Sequence, residues 1–442
     1  MRSFLRPIFI TMMVSVLALT ACTSEQTPRP TEQPAARLWF VDSSSGLLGS
    51  LMPAIAVAPA PAAPAAAELE AWRVPPTRWL ALERELVARE WAAPTRAARC
   101  YALLAGGMSD VLLVADAARA QGMDVSDDAA LAAFAKRVIG YNHPTLAEIA
   151  QQKADQARWV GVWSGKATPA GVELGERIGT AVANRVIAWA QRDGAEGFTE
   201  FTTPAAAPGV WQPTPPRLWS ALDPGWGNVR PIVIPSGESM DAEPPPAWDS
   251  DAFKADRADF AQHQQQLTDA ERALAKKWAG GMGTMTPSGL WLEIADQLVT
   301  RDQLTTHQAA DVYATLSVAM HDSFIANWHT KYKYLVERPI TWMRRENDPN
   351  WLSPIQTPPF PSYPSGHATV SGAASTVLAA YFPQDAGQLR ASANDAAYSR
   401  IVGGIHWPLD SKAGLSQGQK IGTWVLSHPS AAATHAAVAI QP

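Results

Sequence analysis

Three short stretches of this chain combine residue types and spacings that suit the handling of a tetrahedral oxyanion. The first is Lys331-Tyr332-Lys333-Tyr334-Leu335-Val336-Glu337-Arg338-Pro339. Lys331 and Arg338 are seven positions apart, so on a helix turning about 100° per residue both cations share one face. Pro339 disfavours helical geometry at Arg338, which is where such a helix is expected to end. An ammonium and a planar guanidinium fork aimed together fit the oxygens of a tetrahedral anion. A solvated basic face paired with Glu337 is the alternative. The second stretch is Pro364-Ser365-Gly366-His367, followed by a helical run from Ala368 to Ala380. Ser365 and Gly366 then open a helix, where unpaired backbone N–H groups and the helix dipole attract negative charge. An ordinary capped helix with a surface histidine accounts for the same four residues. The third runs from Ser399-Arg400 through Gly403-Gly404 to His406-Trp407-Pro408-Leu409-Asp410. Pro408 suits a first helical turn, which places His406 and Asp410 on one face. A carboxylate there holds one imidazole nitrogen and leaves the other bare, as nucleophile or ligand. Arg400 adds a third cation. A histidine–acid pair serving only stability is the alternative.

Together the three stretches resemble the signature of the superfamily that contains bacterial acid phosphatases, type 2 phosphatidic acid phosphatases and vanadium-dependent haloperoxidases: K-x6-R-P, then P-S-G-H, then S-R-x5-H-x3-D. Lys331, Arg338-Pro339, Pro364-Ser365-Gly366-His367, Ser399-Arg400, His406 and Asp410 supply every element in order. The resemblance implies an all-α fold and a site for vanadate, or for phosphate in the same pocket. It implies that Lys331, Arg338 and Arg400 bind non-bridging oxygens, with donors from the Ser365 hydroxyl and the Gly366 N–H. His406 would be the apical residue, coordinating the vanadium of vanadate or attacking phosphorus, oriented by Asp410. His367 would be the acid/base. Physical logic agrees, since fixed cations and a helix end preorganise a site for a trigonal-bipyramidal oxyanion.

The run Pro358-Pro359-Phe360-Pro361-Ser362-Tyr363-Pro364 looks like that of vanadium chloroperoxidases, and Trp328 and Phe360 match pocket-lining aromatics there; core packing is their alternative role. Two departures stand out. Glu337 occupies a position where the family often has Trp, and Phe360 stands where algal bromoperoxidases tend to carry His. The resemblance favours a haloperoxidase using hydrogen peroxide and halide. A soluble acid phosphatase acting on a phosphate ester is the first alternative, and a non-catalytic anion-binding or scaffold lipoprotein the second.

The elements that must position these residues read as helical throughout, with no period-two alternation and no Gly-rich nucleotide loop, giving a two-lobed all-α expectation. Residues 1–22 read as a lipoprotein-type signal: Arg2 and Arg6, a short apolar run, then Leu19-Thr20-Ala21-Cys22, with Cys22 the lipidated residue. This implies export across the inner membrane of a bacterium and a lipid anchor in the periplasm or outer membrane. Residues 23–66 are Pro/Ala-rich and expected as a flexible linker, 67–240 as a helical scaffold half without convergent polar residues, 241–430 as the bundle carrying the site, and 431–442 as a tail.

Helices are expected at Thr77–Trp91, Pro94–Gln121, Asp127–Tyr141, Pro144–Val160 and Gly171–Asp193, with Gly106-Gly107 as a possible break. Others are expected at Asp249–Gln266, Thr268–Ala279, Pro287–Val299 and Arg301–Asn327, and at the three site segments. The Trp/Pro-rich stretch from Phe198 to Trp248 reads as irregular, either over a pocket mouth or packed on the scaffold. A net charge of −5 gives no general attraction to nucleic acid. Two cysteines, Cys22 and Cys100, make a disulfide framework improbable, and Cys100 reads as a buried small hydrophobe. His321-Asp322 resembles the pair of metal-dependent HD hydrolases but lacks the further ligands, and reads as structural.

Overall fold

The structure, a computed structural model, describes residues 37–51, 59–197 and 199–428. The signal segment with Cys22, much of the expected linker and the C-terminal tail lie outside the described residues. The helices, in chain order, are α1 (Ser44–Gly49), α2 (Ala66–Glu70), α3 (Pro75–Arg89), α4 (Pro94–Ala120), α5 (Asp127–Asn142), α6 (Ala147–Ala157), α7 (Val160–Trp163), α8 (Pro169–Ala190), α9 (Asp251–Gln265), α10 (Asp269–Lys277), α11 (Thr286–Arg301), α12 (Thr306–Tyr334), α13 (Pro339–Glu346), α14 (Gly366–Tyr381), α15 (Ala386–Val402) and α16 (Pro408–Ser427). The fold is all-α, and among the described residues the extended pairing is a single bridge between Val210 and Val336.

Two helical groups, α3–α8 and α11–α16, share one continuous hydrophobic core that runs from Trp79, Tyr101 and Phe134 to Tyr313, Phe324 and Val370. The long helices α4 and α12 pack against each other at its centre. Each carries an aspartate that accepts three consecutive backbone N–H groups from an irregular segment. Asp110 on α4 takes those of Trp39, Phe40 and Val41, and Asp322 on α12 takes those of Ile232, Val233 and Ile234. A fully buried carboxylate is tolerable only with such partners. The Asp110 contact also corrects the linker expectation: Trp39, Phe40, Val41 and Leu47 belong to the core, because Asp110 fixes the backbone that presents them. Helix α4 is long and apolar enough by composition to cross a membrane, but most of it is buried in this core.

Several boundaries moved for identifiable reasons. Gly106-Gly107 does not break α4; a Cβ at Gly107 would lie 2.1 Å from the Phe134 ring, so the glycine permits close packing of α4 on α5. Helix α12 starts at Thr306 rather than Arg301, because Thr305 and Gln308 form a reciprocal capping box. Pro144–Val160 is split into a 3-10 turn, α6 and α7. The first helical group also buries polar clusters that were not expected there. Arg99 Nε donates to Asp193 Oδ2 at 2.7 Å, and His143 lies between Glu83 and Glu90. Burial lowers the proton affinity of His143, but the two carboxylates outweigh it and raise the pKa to about 9.

Helices α14 and α16, which carry the second and third motifs, cross with almost no side chain between them. A Cβ at Gly418 would sit 1.9 Å from the carbonyl oxygen of Thr369. Gly418→Ala is expected to wedge these helices apart and cost about 1–3 kcal/mol or more, read as a lower denaturant midpoint at unchanged m-value. On α12, His321 is fully buried, and neither ring nitrogen has a hydrogen-bond partner. Burial, helped by the nearby Arg99, lowers its pKa to about 3. The unfolded chain therefore binds a proton below about pH 6.5 that the folded chain refuses, so stability falls as pH drops through that value. His321→Leu is expected to reduce this acid-side loss by about 1.4 kcal/mol per pH unit between pH 6 and 4, as measured by urea unfolding at several pH values.

Candidate active site

The cations of the first motif do not share a helix face. α12 ends at Tyr334, and Leu335 adopts a left-handed conformation with φ 50. From there the chain is drawn out of helical geometry by the segment before Trp211. Trp211 N donates to Leu335 O at 2.7 Å, and Glu337 N donates to Gly209 O at 2.9 Å. Arg338 is extended and caps α13. Lys331 and Arg338 are thus brought together across a turn, by tertiary pairing rather than by helical periodicity.

Both cations, with Arg400, are fully buried. Lys331 Nζ donates to the carbonyls of Pro361 and Ser362, each at 2.9 Å, and to that of Pro364. Arg338 Nε donates to Phe360 O at 2.8 Å, and its Nη1 to Ile405 O at 2.7 Å and His406 Nε2 at 3.1 Å. Arg400 Nε donates to Ser399 Oγ at 2.9 Å and Nη2 to Ala275 O at 2.9 Å. Arg338 Nη2 and Arg400 Nη1 are buried without a partner.

Ser365 caps α14, accepting from Ala368 N, and Gly366 is the first residue of that helix. His406 Nδ1 and Asp410 Oδ2 are 2.8 Å apart. Asp410 also accepts from the Ser362 hydroxyl and from Trp407 N. With Nδ1–H donating to Asp410 and Arg338 donating to Nε2, these partners assign the neutral Nδ1–H tautomer of His406. His367 is half-buried, with Nε2 3.2 Å from the carbonyl oxygen of Ala279.

The electrostatics follow from burial. The Arg338 and Arg400 guanidinium groups are each pushed down to about 9, chiefly by desolvation, and remain charged at neutral pH. Burial and then Arg338 hold Lys331 well below the usual ammonium range, with Asp410 pulling the other way. Burial raises Asp410 to about 6, opposed by the Ser362 hydrogen bond and the neighbouring cations. Asp410 is therefore one carboxylate against two guanidiniums, and a positive charge is left over even when Lys331 is neutral. Burial followed by the surrounding cations holds His406 well below its ordinary value, and burial with Arg400 does the same for His367.

A cavity of about 190 Å³ opens onto this cluster. Gly366, His367, Arg400 and His406 line it together with Trp328 and Phe360, while Lys331, Arg338 and Ser365 stand buried around them. The rings of Trp328 and Phe360 are 4.8 Å apart, and Arg338 lies over Phe360 at 4.9 Å. Trp219 and Leu222 of the irregular stretch also line the cavity, and Trp211 and Trp226 of the same stretch are buried, so that stretch contributes to the cavity wall and packs on the scaffold at once.

The donor set fits a tetrahedral oxyanion such as vanadate or phosphate: leftover positive charge, two orphaned guanidinium N–H groups, a helix N-terminus and an unprotonated imidazole nitrogen. Sequence reasoning gave no role to Ser362, Ser399, or the buried network in which Asn327 Nδ2 donates to Thr369 Oγ1 at 2.8 Å and Gln417 Nε2 to Met240 O at 3.0 Å. Their partners are mostly far apart in sequence, and no local spacing signals them. Glu337 faces away from the cations. It is buried and takes both Nη groups of Arg345, while its backbone carbonyl accepts from Trp407 Nε1 at 2.8 Å.

Comparison with known proteins finds likenesses of sequence and fold. Residues 311–394 match the family model of the VCPO second helical-bundle domain. The chain is 34% identical over 89 residues to vanadium chloroperoxidase of Curvularia inaequalis, a match spanning 16% of this chain and 14% of that protein. Among solved structures, a bacterial vanadium-dependent iodoperoxidase aligns with TM-score 0.70 and 25% identity, covering 83% of this chain and 97% of that one. The holo form of a bacterial vanadium-dependent chloroperoxidase aligns with TM-score 0.59 and 15% identity, over 75% of this chain and 91% of that one, which speaks for the fold. The fold, the complete three-part motif and these likenesses together support the superfamily of vanadium-dependent haloperoxidases and type 2 phosphatidic acid phosphatases.

Proposed function

We propose that this protein is a vanadate-dependent haloperoxidase that uses hydrogen peroxide to oxidise halide. The observation that carries the reading is the uncompensated positive charge of Arg338 and Arg400, each with an unpartnered buried N–H group, around the unprotonated Nε2 of His406, which accepts from Arg338, beneath an aromatic wall. Vanadate, when bound, supplies a Lewis-acidic centre that activates peroxide. Arg338 and Arg400 would hold its oxygens with their unpartnered N–H groups, joined by the Ser365 hydroxyl and the Gly366 N–H; Lys331, whose donors go to Pro361, Ser362 and Pro364, would contribute through charge, and His406 Nε2 would be its protein ligand. The cations' task is to withdraw electron density from the bound oxygens, and in a buried setting each one acts at much higher effective strength than in water.

Asp410 keeps the proton on His406 Nδ1, so the lone pair at Nε2 stays directed at the anion. Ser362 and Trp407 N hold Asp410 in turn. His367, at the cavity wall, is placed to exchange protons at the anion's edge, and an arriving negative charge would raise its depressed proton affinity toward the working range. Trp328 and Phe360 exclude water from the same edge. A phosphate ester would meet the same cations and the same nucleophilic nitrogen, which makes phosphatase chemistry the competing outcome of the test.

Purified protein is expected to bind vanadate with about one equivalent per chain, by the single-site geometry, and then to oxidise bromide or iodide with peroxide, followed by halogenation of a chromogenic phenol. His406→Ala is expected to abolish this activity, and Arg400→Ala to cost about 2–4 kcal/mol of transition-state stabilisation, as for loss of an oxyanion donor. Turnover of a chromogenic phosphate ester that vanadate merely inhibits, with no halide oxidised from mildly acidic to mildly basic pH, would replace this reading with the acid phosphatase one.

A further inference from the structure

The first helical group contains a second place where chemistry-bearing side chains converge, remote in sequence from the anion motifs. Glu83 comes from α3, Cys100 from α4 and His143 from the residue that ends α5. All three are buried, at 0%, 8% and 1% exposure. One ligand atom of each lies within 4.8 Å of the other two. His143 presents Nε2 to Glu83 Oε1 at 3.2 Å, and its Nδ1 lies 2.7 Å from Glu90 Oε2. Thr145 Oγ1 donates to the other Glu90 oxygen at 2.6 Å. Asn142 Nδ2 donates to Glu83 Oε1 at 2.7 Å. Two oxygens in this buried cluster, Glu83 Oε2 and Asn142 Oδ1, have no partner at all.

We propose that Glu83, Cys100 and His143 form a binding site for a divalent transition-metal ion of the zinc class, separate from the anion site. The ligand chemistry selects the class. Thiolate, imidazole and carboxylate together suit zinc and its close neighbours, and not calcium or magnesium, which take oxygen ligands. In a tetrahedral site with ligand bonds of about 2.0–2.3 Å, donor atoms sit roughly 3.5 Å apart, so the present cluster needs only a small inward rotation of side chains. The supporting shell is already in place. Glu90, held by Thr145, accepts from Nδ1, which commits Nε2 to the ion in the carboxylate–histidine–metal arrangement typical of such sites.

Charge balances as well. Glu83 and the Cys100 thiolate carry two negative charges and cancel those of a dication. Binding releases the thiol proton of Cys100 and the proton shared between His143 and Glu83, and forms metal–sulfur, metal–nitrogen and metal–oxygen bonds with no change of oxidation state. Cys100 is thereby more than an apolar filler of α4. The three ligands come from α3, α4 and the residue that ends α5, so the ion would tie these elements together and keep one position open.

The test uses the full-length protein, stripped with chelator and titrated with cobalt(II) as a spectroscopic stand-in for zinc. The expected result is saturation at one equivalent, with a thiolate-to-cobalt charge-transfer band in the near ultraviolet that Cys100→Ala removes. Because Cys100→Ala could perturb packing, circular dichroism accompanies it, and the half-exposed Glu90→Gln serves as a second variant, expected to weaken binding about 10–100-fold without abolishing the band. Absence of the band in the unaltered protein, or its persistence in folded Cys100→Ala, would overturn the proposal. Neither outcome depends on vanadate or halide chemistry.

Discussion

Placing Lys331, Arg338 and Arg400 at zero exposure around one point is the constraint on which the rest of the molecule depends. Like charges brought out of water repel each other and lose their hydration, and each loss costs several kcal/mol even after relaxation. The chain does not offset this with matched carboxylates. It offers backbone carbonyls instead: Pro361, Ser362 and Pro364 to Lys331, Phe360 and Ile405 to Arg338, Ala275 to Arg400. Dipoles of this kind hold the cations in place without neutralising them. On the proposed reading, an anion of matching shape would complete the site, and binding it would relieve repulsion already built into the fold.

Carbonyls can serve this way only when the segments that bear them are rigid, and the surrounding structure makes them so. The proline-rich run from Pro358 to Pro364 is stiff by composition and is fastened by Leu222 N donating to Pro359 O and Ser362 N donating to Val336 O, each at 2.9 Å. The α14–α16 contact, close enough to forbid a Cβ at Gly418, fixes Ser365 and Gly366 relative to His406 and Asp410, since one motif sits at the start of each helix. Ser365 N donating to Asp410 O at 2.9 Å joins the two helix starts directly. Asp322, by gathering the N–H groups of Ile232 to Ile234, seats the irregular segment against α12, which delivers Lys331.

What could be read in the sequence follows from which of these forces are local. Helix type, the Ser365 cap and the His406–Asp410 pairing depend on residues one to four positions apart, and all three could be read. The Lys331–Arg338 relation was misread because its geometry is decided by the segment at Gly209 to Trp211, more than a hundred positions away. The core role of Trp39 and Phe40 was hidden for the same reason: their low-charge, Pro/Ala-rich surroundings look like a linker until Asp110 is seen holding their backbone. Glycine pairs are ambiguous from sequence alone. Gly106-Gly107 permits close packing inside an unbroken helix, whereas Gly404, at φ 73, does make the turn before His406. The Glu83–Cys100–His143 cluster had no motif at all, because its members are spread over three helices.

The positive field also has a second effect, on the histidine it surrounds. His406 is held far below its ordinary pKa by burial and by Arg338, Lys331, His367 and Arg400. A lone carboxylate at Asp410 would by itself favour an imidazolium, which has no lone pair to offer. Burial, and then the cations, prevent that, and Asp410 is left to fix the tautomer rather than to charge the ring. Glu337 shows the same logic from the outside. A buried carboxylate one residue before Arg338 would cancel the field if it faced inward, but Arg345 and Gly209 N engage it on the far side. The arrangement that would attract the proposed anion is therefore the one that keeps His406 Nε2 unprotonated, and any change that added a negative charge inside this shell would weaken both properties together.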